Sequence, residues 1–339
     1  MPKEHGGGRL EAGALSREAG GRSAMTLDAR AGVLARTQTV DALVKEVARI
    51  LHDRRHAAPA SRLTAPALQE ARDLLAALLD VPRHWPLLRA NKWVEADVWR
   101  RAMDAARKRA AGAPLAYAVG SVNFRHMTLA VDERVLIPRP ETELLVDIVL
   151  RRQRRGIAVD VGTGSGAIAL ALATEGDFDR VIATDLSLDA LDVAQANMER
   201  TAGTSAVEVV HGDLLAPVAT LLRARAPNVI VSNPPYISFE EISGLPASVR
   251  DWEPMLALLS AASGLSTTAR LVRQAAAMLA PAGLLALEVD ARRASIVAEL
   301  VSADERLENV SVHLDLTGRE RFVTATRRDQ ERAGQENRK

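Results

Sequence analysis

Cysteine is absent from all 339 residues. Disulfides, thiol nucleophiles and zinc–thiolate centres are thereby excluded. Aromatic residues are scarce at 3%, so a core drawn from the 47% apolar fraction has to be built from Ala, Leu and Val. Lysine is equally rare: only Lys3, Lys45, Lys92, Lys108 and Lys339 occur, and the other basic residues are arginine. Neither charge sign dominates, with 44 basic and 43 acidic residues giving a formal net charge of +1. That balance argues against a protein whose main task is to neutralise a phosphate backbone. The seven histidines are scattered, with no HExxH and no paired spacing of a metal site. His52 and His56 are four apart, but they sit beside Arg54 and Arg55 at the polar end of a helical pattern. No apolar run approaches the ~20 residues needed to span a bilayer. The N-terminal stretch MPKEHGGGRLEAGALSREAGG has no apolar signal core and carries Glu4, Glu11 and Glu18. A cytoplasmic location is expected by elimination.

Residues 1–36 are rich in Gly, Ala and Arg without periodicity and are expected to form a disordered extension. Helical spacing begins near Thr39, a suitable N-cap, with Val40, Leu43, Val44, Val47, Ile50 and Leu51 on one face. A second helix is expected from about Pro66 through Leu68, Ala71, Leu74, Leu75 and Leu78, ending before Pro82. A third covers roughly Glu95 to Ala111, with Val98, Trp99, Ala102, Met103 and Ala106 inward. Together they predict a small helical domain over 37–112. The pattern changes at Pro114, where AYAVGSVNF and HMTLAVDERVLI predict a β-hairpin linker over 113–140.

From about Glu141 a helix leads into IAVDV, and strands then alternate with helices. The expected strands are 157–161, 180–184, 207–211, 228–232, 283–288, 308–314 and 320–326. This alternation predicts an α/β, Rossmann-like, seven-stranded and mostly parallel sheet over 141–327. Residues 328–339 are polar and charged and are expected to be a disordered tail.

The first strand runs into DVGTGSGAIALALA. Gly162, Gly164 and Gly166 permit a tight turn and close approach of a ligand to the backbone. The helix that follows presents free N–H groups at its positive end. Asp185 closes the second strand, where an acid takes ribose hydroxyls. Loop and acid together indicate a nucleoside-containing cofactor, and a dinucleotide satisfies them as well as S-adenosylmethionine does. Two further acids separate the classes. Asp160, two residues before the first glycine, suits a cationic methionine-like end better than a pyrophosphate. Asp213, after His211-Gly212, is placed to meet an adenine amino group.

The fourth strand ends in VSNPPYISF. A planar amide or amidine nitrogen is a poor nucleophile, because its lone pair is delocalised. To be methylated it must be held with that lone pair facing the methyl carbon while its N–H groups meet acceptors. Asn233 offers a side-chain oxygen and Pro234 a backbone carbonyl. Pro234 and Pro235 stiffen the segment and donate no competing N–H, and Tyr236 can lie over a flat substrate group.

DxGxGxG, the second-strand acid, GD and NPPY, in this order, resemble the class I S-adenosylmethionine-dependent methyltransferases that act on planar nitrogens. VLIPRPETELLVD at 135–147 resembles the linker signature of the peptide chain release factor glutamine N5-methyltransferases, the HemK/PrmC family. A related family that methylates a ribosomal protein carries a Pro-Arg-Ser-Pro type segment there instead. The resemblance covers about residues 38–327. It departs at Asn228, where the family has an acid, and at LEVD (287–290), where Leu-Glu-Ile-Gly is usual. The aromatic often found within 259–271 is also missing.

The resemblance implies methyl transfer from S-adenosylmethionine to the Gln of the Gly-Gly-Gln motif in class I release factors, with the N-terminal domain docking the factor. It implies a cofactor site of Asp160, Gly162, Thr163, Gly164, Gly166, Asp185, Leu186, Gly212, Asp213 and Asn233. It implies a catalytic and substrate site of Asn233, Pro234, Pro235 and Tyr236, with Arg139 and Glu141 either meeting substrate or cofactor or only holding the linker. Trp252 and Glu253 are candidates to close over the site, and Trp252 is equally suited to a core. No metal, nucleic acid or membrane partner is expected, and a monomer is favoured. The competing readings are an adenine N6-methyltransferase of nucleic acid, with RRQRR at 151–155 as its basic patch, a ribosomal-protein glutamine methyltransferase, and a noncatalytic scaffold.

Overall fold

The computed structural model describes residues 38–53, 63–201, 206–223 and 225–329. The expected extension at 1–36, His56 and residues 330–339 of the expected tail lie outside them. Among the described residues five helices come first: α1 (Val40–Asp53), α2 (Ala65–Leu78), α3 (Trp85–Leu88), α4 (Ala96–Ala110) and α5 (Leu115–Val119). The Thr39 hydroxyl accepts the Ala42 N–H at 3.3 Å and caps α1. Leu43, Val47, Leu74, Leu75, Ala102 and Ala106 interdigitate as one core. Small alanines let α4 lie close to its neighbours.

The linker is shorter than expected. AYAV is not strand but α5, and Gly120 stops it at φ 79°, a left-handed conformation that glycine adopts without penalty. Five apolar residues are too few for helical and strand spacing to be told apart. The hairpin itself is β1 (Ser121–Phe124) with β2 (Met127–Ala130), and 131–139 form turn and coil. Three polar contacts fix it in place. Thr128 donates to Asp80 at 3.0 Å. Arg125 at the hairpin tip pairs with Glu175 at 2.6 Å and with Asp147 at 2.9 Å. The buried Asn197 amide accepts from Ala130 N at 2.7 Å and donates to the carbonyls of Ala130 and Ser165.

Seven strands follow: β3 (Arg155–Val161), β4 (Asp177–Asp185), β5 (Val207–His211), β6 (Val229–Ser232), β7 (Leu284–Glu288), β8 (Leu307–Leu314) and β9 (Glu320–Arg327). Their order is β5-β4-β3-β6-β7-β9-β8, parallel except for β9. The expected seven strands all form, within a few residues of the predicted ends. Side chains alternate with period 2. Ala158, Val229 and Val231 face α6 (Pro140–Arg152) and α7 (Ala167–Glu175). Ile157, Val159, Val161 and Ile230 face α9 (Ala216–Leu222), α13 (Ser266–Met278) and α14 (Ala294–Ser302). The remaining helices are α8 (Leu188–Arg200) beside β5, and α10 (Ala247–Arg250), α11 (Met255–Leu258) and α12 (Ala261–Gly264) between β6 and α13. Among the described residues, no helix is long and apolar enough to cross a membrane.

Chain order reverses at β3. The chain moves outward through β4 and β5, then returns to place β6 on the other side of β3. The crevice outside the carboxyl ends of β3 and β6 is therefore where a doubly wound sheet receives a ligand. Asn228 stitches this pair at its start, its Oδ1 accepting the Ile157 N–H at 2.9 Å. Ser232 stitches it at its end, donating to the Val161 carbonyl at 2.6 Å.

Phe322 on β9 is fully buried opposite Glu288. Phe322→Ala should cost about 3–5 kcal/mol of unfolding free energy, because no neighbour can fill the void. Denaturant titration followed by circular dichroism measures it, and a loss below about 1 kcal/mol contradicts this packing.

Candidate active site

Two cavities meet at the carboxyl edge of the sheet, and Asn233 lines both. The first is bounded by Gly162, Gly164, Asp185, Leu186, Gly212 and Asp213, with Pro235 and Asn233 at its inner end. The second, of about 540 Å³, is bounded by Arg139, Asn233, Pro234, Tyr236, Asp290 and Arg321, under the short 3-10 turn Phe239–Gly244.

The glycine loop is held from below. Gly162 and Thr163 both donate backbone N–H to the Thr184 carbonyl, at 2.8 and 2.9 Å. Gly162 and Gly164 adopt φ 71° and 55°, and a Cβ on either would meet nothing within 4 Å. Their backbone thus stands open to the first cavity, and any side chain there would be strained and would protrude into it. Gly166, at φ 85°, packs against Ala194 of α8 instead. Asp185 is pinned by two N–H donors, Gly164 to Oδ2 and Ser187 to Oδ1, each at 2.9 Å. Its remaining lone pairs face the cavity it lines. Asp213 also lines that cavity and is paired with Arg270 of α13.

Asp160 differs from the expectation for it. It is fully buried under the loop and lines neither cavity. Its Oδ2 accepts from the Thr163 hydroxyl at 2.6 Å and from the Ala169 N–H at 3.1 Å. It therefore ties the loop to the positive end of α7. Thr163 shares that task and likewise lines neither cavity. Asp160 Oδ1 is buried without a hydrogen-bond partner. Burial pushes its carboxyl up to about 7, against the pull of Thr163 and Ala169.

Strand β6 delivers Asn233 after four buried residues, and Pro234 is buried beside it. Burial also raises the Tyr236 hydroxyl, which stays a neutral phenol. Gly264 lies against this segment so closely that a Cβ would sit 2.1 Å from the Tyr236 carbonyl oxygen. Sequence reasoning passed over this glycine. The spacing between 236 and 264 carries no local signal.

Of the two linker candidates, Arg139 reaches the second cavity and Glu141 lines neither. Arg139 pairs with buried Glu253 at 2.6 Å, so Glu253 locks the 245–259 segment to the linker. Trp252 packs against Tyr117, Val131 and Val135 as part of a core. It is Thr142, one residue past Glu141, that touches the site, through Asn233 and buried Glu288.

Comparison with known proteins assigns the family. Residues 140–244 match the methyltransferase small domain, and residues 60–120 match the PrmC N-terminal domain. The release factor glutamine methyltransferase of Deinococcus radiodurans is 41% identical over 264 residues, spanning 76% of this chain and 90% of that protein. The enzyme of the same name from Nitratidesulfovibrio vulgaris is 36% identical over 281 residues, spanning 82% and 94%. That of Moorella thermoacetica is 40% identical over 234 residues, spanning 68% and 81%. The chain belongs to the release factor glutamine methyltransferase family.

Its departures from the family pattern acquire physical reasons. At Asn228 an amide oxygen accepts the Ile157 N–H, as a carboxylate would, and a Cβ at Gly156 would lie 2.0 Å from that oxygen. In LEVD the glutamate is buried Glu288, and Asp290 lines the second cavity, held by Arg292 at 2.9 Å. The basic run 151–155 ends α6 and starts β3, at the sheet edge opposite the cavities. Arg152 there donates to Thr324 at 2.9 Å.

The Asp160 carboxyl sets a pH dependence of stability. Its folded value lies above the ordinary carboxylate value, so the folded state binds the proton more tightly. The stabilisation is full below about pH 4 and is lost as pH rises through about 7. Asp160→Asn, which cannot titrate, should flatten the fall in melting temperature of the ligand-free protein between those values. An unchanged slope contradicts the assignment.

Proposed function

We propose that this protein transfers a methyl group from S-adenosylmethionine to the side-chain amide nitrogen, N5, of the Gln in the Gly-Gly-Gln motif of class I peptide chain release factors. The single observation that carries this reading is Asn233-Pro234-Pro235-Tyr236 at the wall shared by two cavities. The family to which the chain belongs supports it.

The first cavity fits the cofactor. Its open glycine backbone, the pinned Asp185 and Asp213 suit a nucleoside with an amino-acid tail. Gly162, Gly164, Asp185, Leu186, Gly212, Asp213 and Asn233 would hold it. Asp160, Thr163 and Gly166 would support the loop. When bound, S-adenosylmethionine supplies an electrophilic methyl group on a sulfonium.

The chain's own residues orient the nucleophile. Asn233 Oδ1 accepts one N–H of the substrate amide and the Pro234 carbonyl accepts the other, so the amide plane is fixed and its lone-pair face is directed at the first cavity. Drawing density toward nitrogen through both N–H bonds makes that nitrogen more nucleophilic. Fixed dipoles do this without reorganising during the step, and the nitrogen would release one of its two protons to solvent as or after the new N–C bond forms. Neutral Tyr236 forms a flat wall, and the cavity lining carries both charge signs, Arg139, Arg292 and Arg321 facing Glu240, Glu241 and Asp290. The extended, glycine-containing substrate loop fits a cavity of about 540 Å³ roofed by residues 239–245.

The partner is thus a protein, docked in part by α1–α5, with no direct contact to nucleic acid or membrane. The enzyme works as a monomer in the cytoplasm. The near-neutral charge and the placement of RRQRR away from the cavities support a protein substrate over a nucleic acid.

Transfer of labelled methyl from S-adenosylmethionine to a purified class I release factor tests this reading. Label is expected on the native factor and on neither its Gln→Ala variant nor unmethylated duplex DNA. Label on DNA alone establishes the nucleic-acid reading instead. Cofactor binding with no transfer to any acceptor establishes the scaffold.

A further inference from the structure

Asn233 carries an amide, and an amide can face its substrate with either end. Only the Oδ1 end accepts an N–H, whereas the Nδ2 end would repel the substrate amide and leave it unoriented. The structure contains a device that chooses between them. Asn233 Nδ2 donates to Thr142 Oγ1 at 3.4 Å, and Thr142 Oγ1 donates to Glu288 Oε2 at 2.7 Å. The first bond is at the long end, as is common in sites without substrate.

A hydroxyl has one proton. Once Thr142 has given it to a carboxylate, its oxygen can only accept. The partner of that oxygen must then be the NH2 end of Asn233, which leaves Oδ1 as the end available to substrate. We infer that Thr142 and Glu288 are positioning residues, which set the direction of the Asn233 amide through this one-way chain of hydrogen bonds. The inference rests on the methyl-transfer reading above and deepens it.

Three features show why these residue types are needed. Glu288 is only 1% exposed, and a buried carboxylate is a costly way to satisfy one hydroxyl. A neutral acceptor such as an amide or a second hydroxyl could reverse its role, and the chain would lose its direction. An ionised carboxylate accepts only. The elements also converge for this purpose: Thr142 comes from the first turn of α6, Glu288 from the end of β7 and Asn233 from the end of β6. Two parallel strands and a helix that starts at their carboxyl edge place all three together.

The direction depends on Glu288 being charged. The groups facing it are Arg321 on β9, Arg139 before α6, Glu141 on α6 and Tyr236 after β6. The two arginines favour the carboxylate, while burial and Glu141 oppose it, and burial wins, pushing Glu288 up to about 7. A protonated Glu288 can donate to Thr142, freeing the Thr142 proton for Asn233 Oδ1. The chain then runs backwards and the acceptor end is consumed. Methyl transfer should therefore rise as pH increases through about 7.

The test measures kcat at saturating S-adenosylmethionine with a class I release factor, across neutral pH, together with cofactor affinity by calorimetry. Thr142→Val should lower kcat by roughly 10- to 100-fold while cofactor affinity stays within about twofold. Thr142→Ser, which keeps the hydroxyl, should restore kcat to within about threefold. Glu288→Gln should abolish the rise through about pH 7, which separates it from buried Asp160, whose carboxyl is also pushed up to about 7. A Thr142→Val enzyme within about twofold of wild type overturns the inference, and so does an unchanged pH profile in Glu288→Gln. If Thr142→Val does not bind cofactor, the Glu288→Gln profile decides alone. If the wild type transfers nothing to the factor, the methyl-transfer reading has failed. The chain is then judged on the Asn233 side-chain NH2 resonances, which shift with Thr142→Val if it exists and stay put if it does not.

Discussion

The pairing of β3 with β6 is the contact on which the site depends. It is where chain order reverses, and it brings a loop that follows one strand beside a loop that follows another, about 70 residues later. Asn228 and Ser232 fasten this pair at its two ends through hydrogen bonds to Ile157 and Val161. Between them Val229, Ile230 and Val231 are wholly buried. With both faces covered by helices, the strands cannot slip by one residue without turning their apolar side chains to the wrong face. The glycines that open onto the first cavity and the asparagine that lines both cavities are therefore set by the same register.

Much of this was legible because the signals are local and redundant. The alternation of β-branched runs with amphipathic segments marked all seven strands, and the glycine loop, Asp185 and NPPY were readable from strand ends alone. What was not legible depends on distant residues meeting. The helix LAYAV reads as strand in sequence because five apolar residues carry no period, and only Gly120 with its left-handed φ shows a helix ending there. Asp160 was assigned to the ligand from its place beside the first glycine. The hydrogen bonds it makes, with Thr163 and the Ala169 N–H, lie under the loop, because its side chain points to the same face as Ala158. Glu141 was chosen from a charged motif, whereas the register of α6 turns Thr142 inward. A threonine in a helix has no chemical signature until its neighbours on β6 and β7 are known.

The electrostatics divide in a consistent way. Charges at the rim of the second cavity are paired across elements, as Arg139 with Glu253 and Arg292 with Glu241, and hold the 238–259 segment over the cavity. Charges beneath the site are buried carboxylates, Asp160 and Glu288, whose ionisation is costly and whose hydrogen bonds are directional. The first kind closes the site. The second kind fixes the glycine loop and Thr142 through directional hydrogen bonds.

The most direct test of the account is a side-by-side measurement of cofactor affinity and single-turnover methyl transfer for Asn233→Ala. Asn233 bounds both cavities but is assigned to orient the substrate amide. The account predicts cofactor affinity within about tenfold of wild type and transfer reduced by a factor of about 100 or more. Transfer at near wild-type rate would contradict the assignment of Asn233, and with it the mechanism built around that residue.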